Sequence, residues 1–135
     1  MSTAEGEIPI IVEGDIVAVR RLLRQIAQEI GFGITDTTRL VTAASELARN
    51  AYKYGGGGLM RWRRIQANGR QGIEIQFVDN GPGISDISLA LQQGYTTGKG
   101  LGLGLPAAKR LMDELDIQSA VGRGTTVTSK KWCPP

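Results

Sequence analysis

The 135-residue chain has no histidine. This removes imidazole acid–base catalysis, imidazole metal sites and a phospho-accepting histidine from its own repertoire. It has one cysteine, Cys133, so no internal disulfide can form and a reducing cytoplasm is the expected compartment. No apolar run approaches the ~20 residues that span a bilayer. Met1 to Gly6 is short, polar and acidic rather than leader-like, and no membrane partner is expected. Charge of either sign is in small excess: 16 basic against 13 acidic residues leave +3. Arg61, Arg63 and Arg64 around Trp62 could be read as a nucleic-acid patch. A solvated strand face accounts for them as well, and no nucleic-acid partner is expected.

What is present suits a single domain, residues 1–135, with a real core. Glu7 to Glu13 reads as a short strand that Pro9 places at a sheet edge. Asp15 is placed to cap a helix in which Ile16, Val19, Leu23, Ile26 and Ile30 recur at the helical period. Gly31-Phe32-Gly33 ends it. A second helix runs from about Thr35 to Tyr54, buries Leu40, Ala44, Leu47 and Ala51, and stops at Gly55 to Gly58. Leu59 to Ala67 and Gly72 to Asp79 pair around an Asn68-Gly69 turn. In the second of these, Ile73, Ile75 and Phe77 alternate with Glu74 and Gln76, so one face is buried. Asp86 to Gln93 reads as a short helix and Tyr95 to Lys99 as a flexible segment. Leu105 to Leu115 reads as a helix with Pro106 near its start. Ile117 to Val121 and Thr125 to Trp132 are the last strands, around Gly122-Arg123-Gly124. The predicted class is α+β: an α/β sandwich with one mixed, mostly antiparallel sheet and helices packed on one face.

Three stretches carry possible chemistry. Gly98-Lys99-Gly100-Leu101-Gly102-Leu103-Gly104 places four glycines at every second position and runs into a helix. Free N–H groups at a helix start attract phosphate, and glycines let it approach. The spacing matches neither the P-loop, which needs Ser or Thr after the lysine, nor the dinucleotide fingerprint. A hinge without a ligand remains open. In Asp79-Asn80-Gly81-Pro82-Gly83 a carboxylate ends a buried strand, where it can accept a hydrogen bond from an exocyclic amine such as adenine's. The same residue types also make ordinary turns. Glu46, Asn50 and Lys53 fall at i, i+4 and i+7 on one face of the second helix. An amide oxygen beside phosphates suits Mg²⁺, which keeps several waters, and a nearby carboxylate can take a proton from an attacking hydroxyl. A solvated helix face has the same composition.

Taken together, in this order, the motifs resemble the GHKL superfamily of ATPases and kinases related to gyrase, Hsp90, histidine kinases and MutL. Ser45 to Tyr54 resembles its N box, Asp79 to Gly83 its first glycine box, and Gly98 to Gly104 the second. Gly122-Arg123-Gly124-Thr125 resembles the closing G-x-G-T element. The resemblance covers roughly Thr35 to Trp132 and implies the Bergerat ATP-binding fold, with ATP and Mg²⁺ as cofactors. It implies that Asn50 ligates Mg²⁺, that Asp79 binds the adenine amino group, and that Gly81 and Gly83 shape the adenine pocket with Thr125 in support. Gly100, Leu101, Gly102, Leu103 and Gly104 would bring backbone N–H groups to the phosphates, Lys53 and Lys99 would contact phosphate, and Glu46 would be the general base. Arg49, beside the triad, could reach the acceptor or the phosphates.

Neither the coupling domain of the gyrase-like enzymes nor a helical domain with an acceptor histidine is seen in the chain. Within the superfamily it therefore resembles the stand-alone serine/threonine protein kinases of bacterial partner switching. On Ser45 to Tyr54, Asp86-Ile87, Gly100 to Leu115 and Lys131-Trp132 it is most similar to the stressosome switch kinases. That resemblance implies phosphorylation of STAS-domain proteins of a stressosome, followed by release and activation of a PP2C-type phosphatase. Two alternatives stand beside it: an anti-sigma-factor kinase that binds a sigma factor and phosphorylates its antagonist, and a nucleotide-dependent binding module without catalysis.

Overall fold

The computed structural model describes residues 4–83 and 105–134. Two long helices follow the first strand: β1 (Glu5–Ile10), α1 (Gly14–Ile30) and α2 (Ile34–Lys53). A hairpin comes next, β2 (Gly58–Ala67) and β3 (Arg70–Asp79), then α3 (Leu105–Leu111), β4 (Glu114–Ser119) and β5 (Thr125–Trp132). The five strands form one sheet in the order β1-β2-β3-β5-β4. All four pairings are antiparallel, so among the described residues the sheet is not mixed as expected. The Pro9 strand does lie at an edge, where the missing N–H costs no ladder bond.

Alternation in the strands decides which face the helices cover. Met60, Trp62, Ile73, Ile75, Phe77, Ile117 and Val127 are buried with the helices. The register stacks Met60 on Phe77, Trp62 on Ile75, and Val127 between Phe77 and Ile117. From α1 come Ile16, Val19, Leu23, Ile26, Ala27 and Ile30, the stripe that the 3.6 period defines. The stripe of α2 is smaller: Leu40, Val41, Ala43, Ala44, Leu47, Ala48 and Ala51. Four alanines let this helix pass close over the sheet, against both α1 and α3. The opposite face is polar and carries ion pairs. There Arg61 meets Glu7 at 2.8 Å and Arg63 meets Glu74 at 2.8 Å, whereas Arg64, on the helix side with Met60 and Trp62, pairs with Glu29 of α1. All three arginines of the Trp62 cluster are thus engaged by carboxylates.

Several boundaries differ from the sequence expectation, and β1 spans Glu5–Ile10 rather than Glu7 to Glu13. Asp15 lies inside the first turn of α1, and its carboxylate accepts the N–H groups of Ile11 and Val12 at 2.9 and 3.0 Å. It therefore braces the turn that enters the helix rather than capping it. The α3 helix stops at Leu111 instead of Leu115, and β4 begins at Glu114 rather than Ile117. The cause is β5: the Asp113 N–H donates to Lys130 O at 3.0 Å, and Ser129 Oγ donates to Glu114 O at 2.9 Å. The expected helix at Asp86 to Gln93 and the flexible segment at Tyr95 to Lys99 lie outside the described residues.

Candidate active site

Where the C-terminal half of α2 passes over the ends of β3 and β5, the sheet and helix enclose a pocket. Leu47, Asn50, Ala51 and Tyr54 line it from the helix side, with Gly55 after them. Phe77 and Asp79 of β3, Thr125 and Val127 of β5, Pro82 and Gly83 of the loop, and Leu105 of α3 complete it. The walls are mainly apolar, with a few polar groups converging, the composition of a small-molecule site.

Asp79 is the last residue of β3. Its Oδ1 accepts the Gly81 N–H at 2.9 Å, and the Thr125 N–H also donates to the carboxylate. Burial pushes the carboxyl above its ordinary value, and the two N–H groups only partly offset this. A further donor arriving from the pocket would therefore stabilise its ionised form. Thr125 is held in turn: its hydroxyl shares a 2.8 Å hydrogen bond with Ser119 Oγ, which also donates to Gly124 O at 2.9 Å.

Glycines make this carboxylate's position possible. A Cβ on Gly55 would lie 2.5 Å from Asp79 Cγ, and one on Gly81 would lie 2.6 Å from Gly55 Cα. At Gly124, φ is +78° and a Cβ would overlap the Asp79 carbonyl, so both conformation and space exclude a side chain. The helix end, the strand end and the β4–β5 turn can thus converge on one carboxylate.

Four of the sequence-predicted residues, Asn50, Asp79, Gly83 and Thr125, line this one pocket. Gly81 joins them through its N–H and its contact with Gly55. Glu46 lies one turn before Asn50, half-buried, and does not line the pocket. Its carboxylate is paired with Arg49 Nη1 at 3.2 Å. Lys53, on the last turn of α2, is exposed. Lys99, Gly100, Leu101, Gly102, Leu103 and Gly104 lie outside the described residues.

Sequence reasoning missed the apolar walls, Leu47, Phe77, Leu105 and Val127, because they carry the same signal as core. It also missed Gly55, read only as a helix stop. Among the described residues no group of three His, Cys, Asp or Glu could hold a metal ion. Asn50 brings an amide oxygen to the pocket, a donor type compatible with a divalent cation held mainly by phosphate oxygens and water.

Residues 35–133 match the family described as histidine kinase-, DNA gyrase B-, and HSP90-like ATPase. Over 125 residues, 93% of this chain and 94% of the relative, the sequence is 46% identical to the serine/threonine-protein kinase RsbT of Bacillus subtilis (strain 168). It is 30% identical over 118 residues to an anti-sigma F factor of Thermoanaerobacter sp. (strain X514), covering 84% of this chain and 82% of the relative. Among solved structures, the RsbU and RsbW domains of a Mycobacterium tuberculosis protein superpose with a TM-score of 0.66 at 24% identity, across 98% of this chain and 34% of that longer one. The last likeness is one of fold. The sequence resemblance drawn from four short motifs therefore holds over nearly the whole chain.

Proposed function

Because the chain belongs to the histidine kinase-, DNA gyrase B-, and HSP90-like ATPases, we propose that it is an ATP-dependent serine/threonine protein kinase of a partner-switching system. In this reading it phosphorylates STAS-domain proteins of a stressosome and, once released, activates a PP2C-type phosphatase. The observation that carries the reading is the placement of three groups. Asp79 sits in an apolar-walled pocket, Asn50 lines it from α2, and Glu46 is one helical turn before Asn50 on the same helix. The 46% identity to a protein kinase supports the same conclusion.

Each residue then has a task. Asp79 accepts a hydrogen bond from the adenine amine, while Leu47, Phe77, Leu105 and Val127 pack on the ring. Gly81, Gly83 and Thr125 hold the pocket's shape. Asn50 presents an amide oxygen to a Mg²⁺ ion, which when bound would neutralise charge on the transferring phosphoryl group. Lys53, Lys99 and the backbone of 100–104 would address the phosphates. Glu46 takes the proton from the acceptor hydroxyl as its oxygen bonds to the γ-phosphorus. The bond from that phosphorus to the bridging oxygen breaks, and ADP leaves with the electron pair.

The test is incubation with ATP, Mg²⁺ and a panel of recombinant STAS-domain proteins, with phosphate located by mass spectrometry. Phosphoserine or phosphothreonine on a STAS protein is expected, and its absence across the panel refutes the reading. Adding a PP2C-type phosphatase to the unphosphorylated and phosphorylated mixtures tests the second half. The relative named anti-sigma F factor favours a second reading, in which a sigma factor is the main partner. Co-purification with sigma rather than with STAS and phosphatase proteins decides for it.

A further inference from the structure

The helical order of the residues around the site separates nucleotide from acceptor. Taking Asn50 as zero, a helix of 3.6 residues per turn places Tyr54, Leu47 and Ala51 at about +40°, +60° and +100°, and Glu46, Lys53 and Arg49 at about −40°, −60° and −100°. The first three line the pocket and the second three do not. Glu46 therefore lies between the pocket and Arg49, whose side chain is 45% exposed. An acceptor hydroxyl has to reach Glu46 from outside the pocket, and among the described residues Arg49 is the exposed side chain in contact with it. The guanidinium spends one N–H on Glu46, at 3.2 Å from Nη1 to Oε1. With nearly half of its side chain exposed, the guanidinium has further N–H donors with which to order a second oxygen.

We infer that Arg49 is a positioning residue for phosphotransfer. It holds the Glu46 carboxylate at the edge of the pocket, oriented toward the incoming acceptor hydroxyl, and takes no part in binding ATP. This rests on the kinase reading above. A flexible glutamate on an exposed helix face has several rotamers, and the guanidinium selects the one that the proton transfer needs. The pair's value lies in geometry rather than stability, because exposed i,i+3 pairs stabilise a fold very little.

The experiment uses the full chain, ATP and Mg²⁺, with the STAS-domain protein that the wild type phosphorylates as acceptor. Arg49→Ala is expected to lower kcat by about tenfold or more, as a misplaced catalytic group does, with the ATP dissociation constant and the thermal midpoint unchanged. Arg49→Lys, which can still reach Glu46 from i+3, is expected to regain most of the loss. In a Glu46→Gln background Arg49→Ala is expected to cost nothing further, because the two residues act as one unit. An unchanged kcat overturns the inference. So does a rise only in KM for the acceptor, which would make Arg49 a docking residue, or an additive loss in the Glu46→Gln background. If the wild type phosphorylates no STAS protein, the kinase reading falls and the role of Arg49 falls with it. If the wild type is active and Arg49→Ala matches it, only the role of Arg49 falls.

Discussion

Replacing Asp79 by Asn exchanges one carboxylate oxygen for an amide nitrogen and keeps the side chain's shape. The oxygen that accepts the Gly81 N–H at 2.9 Å can be kept. What is lost is the charged acceptor for a donor entering the pocket, and in its place stands an N–H that confronts the adenine amine. Hydrogen bonds to charged groups contribute about 1.5–3 kcal/mol and 1.36 kcal/mol is tenfold, so ATP should bind about 10- to 150-fold more weakly. Because the new amide N–H can donate to a carbonyl, the preference for ATP over GTP should narrow at the same time. Titration calorimetry with both nucleotides reads each effect. Asp79→Asn binding ATP within about twofold of wild type would refute the assignment of the carboxylate to the adenine amine.

The carboxyl's titration supplies a control in the same variant. Burial raises the Asp79 pKa above the ordinary 3.8, so ionising this carboxyl costs more in the folded protein than in the unfolded chain. A carboxyl with a raised native pKa binds more protons when folded. Its contribution to stability therefore falls as pH rises from about 3.8 through that native value, and stays low at neutral pH. Removing the charge relieves the burial cost, while the single remaining oxygen has to serve both the Gly81 and Thr125 N–H groups. The thermal midpoint of the unliganded variant at pH 7 should stay close to that of wild type, and measuring it separates lost ATP binding from unfolding. In the wild type, ATP affinity should weaken on acidification beginning above 3.8, and in Asp79→Asn this dependence should disappear.

Glu46→Gln should lower phosphotransfer by about 10²- to 10⁴-fold with ATP affinity unchanged; a rapid-quench assay showing the normal rate would remove Glu46 as the base. Gly55→Ala puts a methyl 2.5 Å from Asp79 Cγ, so the carboxylate must move. KM for ATP should rise while kcat at saturating ATP is kept, and unchanged steady-state kinetics would show that the site tolerates the shift. Lys131 is buried; its ammonium donates to Leu111 O at 2.9 Å and lies 3.6 Å from Asp36. Asp36→Ala strands that ammonium and should cost near the low end of about 3–5 kcal/mol, since Asp36 is still 22% exposed. Lys131→Met added to it should recover part of the loss in urea unfolding, and a loss below about 1 kcal/mol would show the pair to be solvent-screened.

Local patterns carried the elements whose causes are local. The β2–β3 turn needs two residues at positive φ, and Asn68 and Gly69 supply 54° and 75°, a geometry that the dipeptide announces. The α1 stripe and the span Thr125–Trp132 were equally plain, because each repeats one period without interruption. The end of α3 was not. Leu111, Met112 and Leu115 continue a helical spacing, while Leu115 and Ile117 also alternate with Glu114, Asp116 and Gln118 as a strand does. Only the pairing with β5, through Asp113 and Lys130, settles which period wins, and that partner lies seventeen residues downstream in a different element.

The same division runs through the site. Asn50, Asp79 and Gly83 were visible because each lies in a short contiguous motif and the motifs follow one another in a familiar order, although each alone also fits a turn or a solvated helix face. Gly55 was visible as a glycine but not for its reason. A helix stop explains Gly55 to Gly58 fully within the local chain, so nothing local points to Asp79, twenty-four residues away. Lys131 shows the limit in the other direction. A lysine near a chain end reads as solvated, yet its burial follows from two groups that the fold delivers, the last carbonyl of α3 and the first turn of α2. Both residues answer to requirements set elsewhere: Gly55 leaves the space that a carboxylate needs, and Lys131 meets a carboxylate and a carbonyl that two different helices bring to it. A sequence pattern can report such a requirement only when the residue that imposes it lies within the same helix, strand or turn.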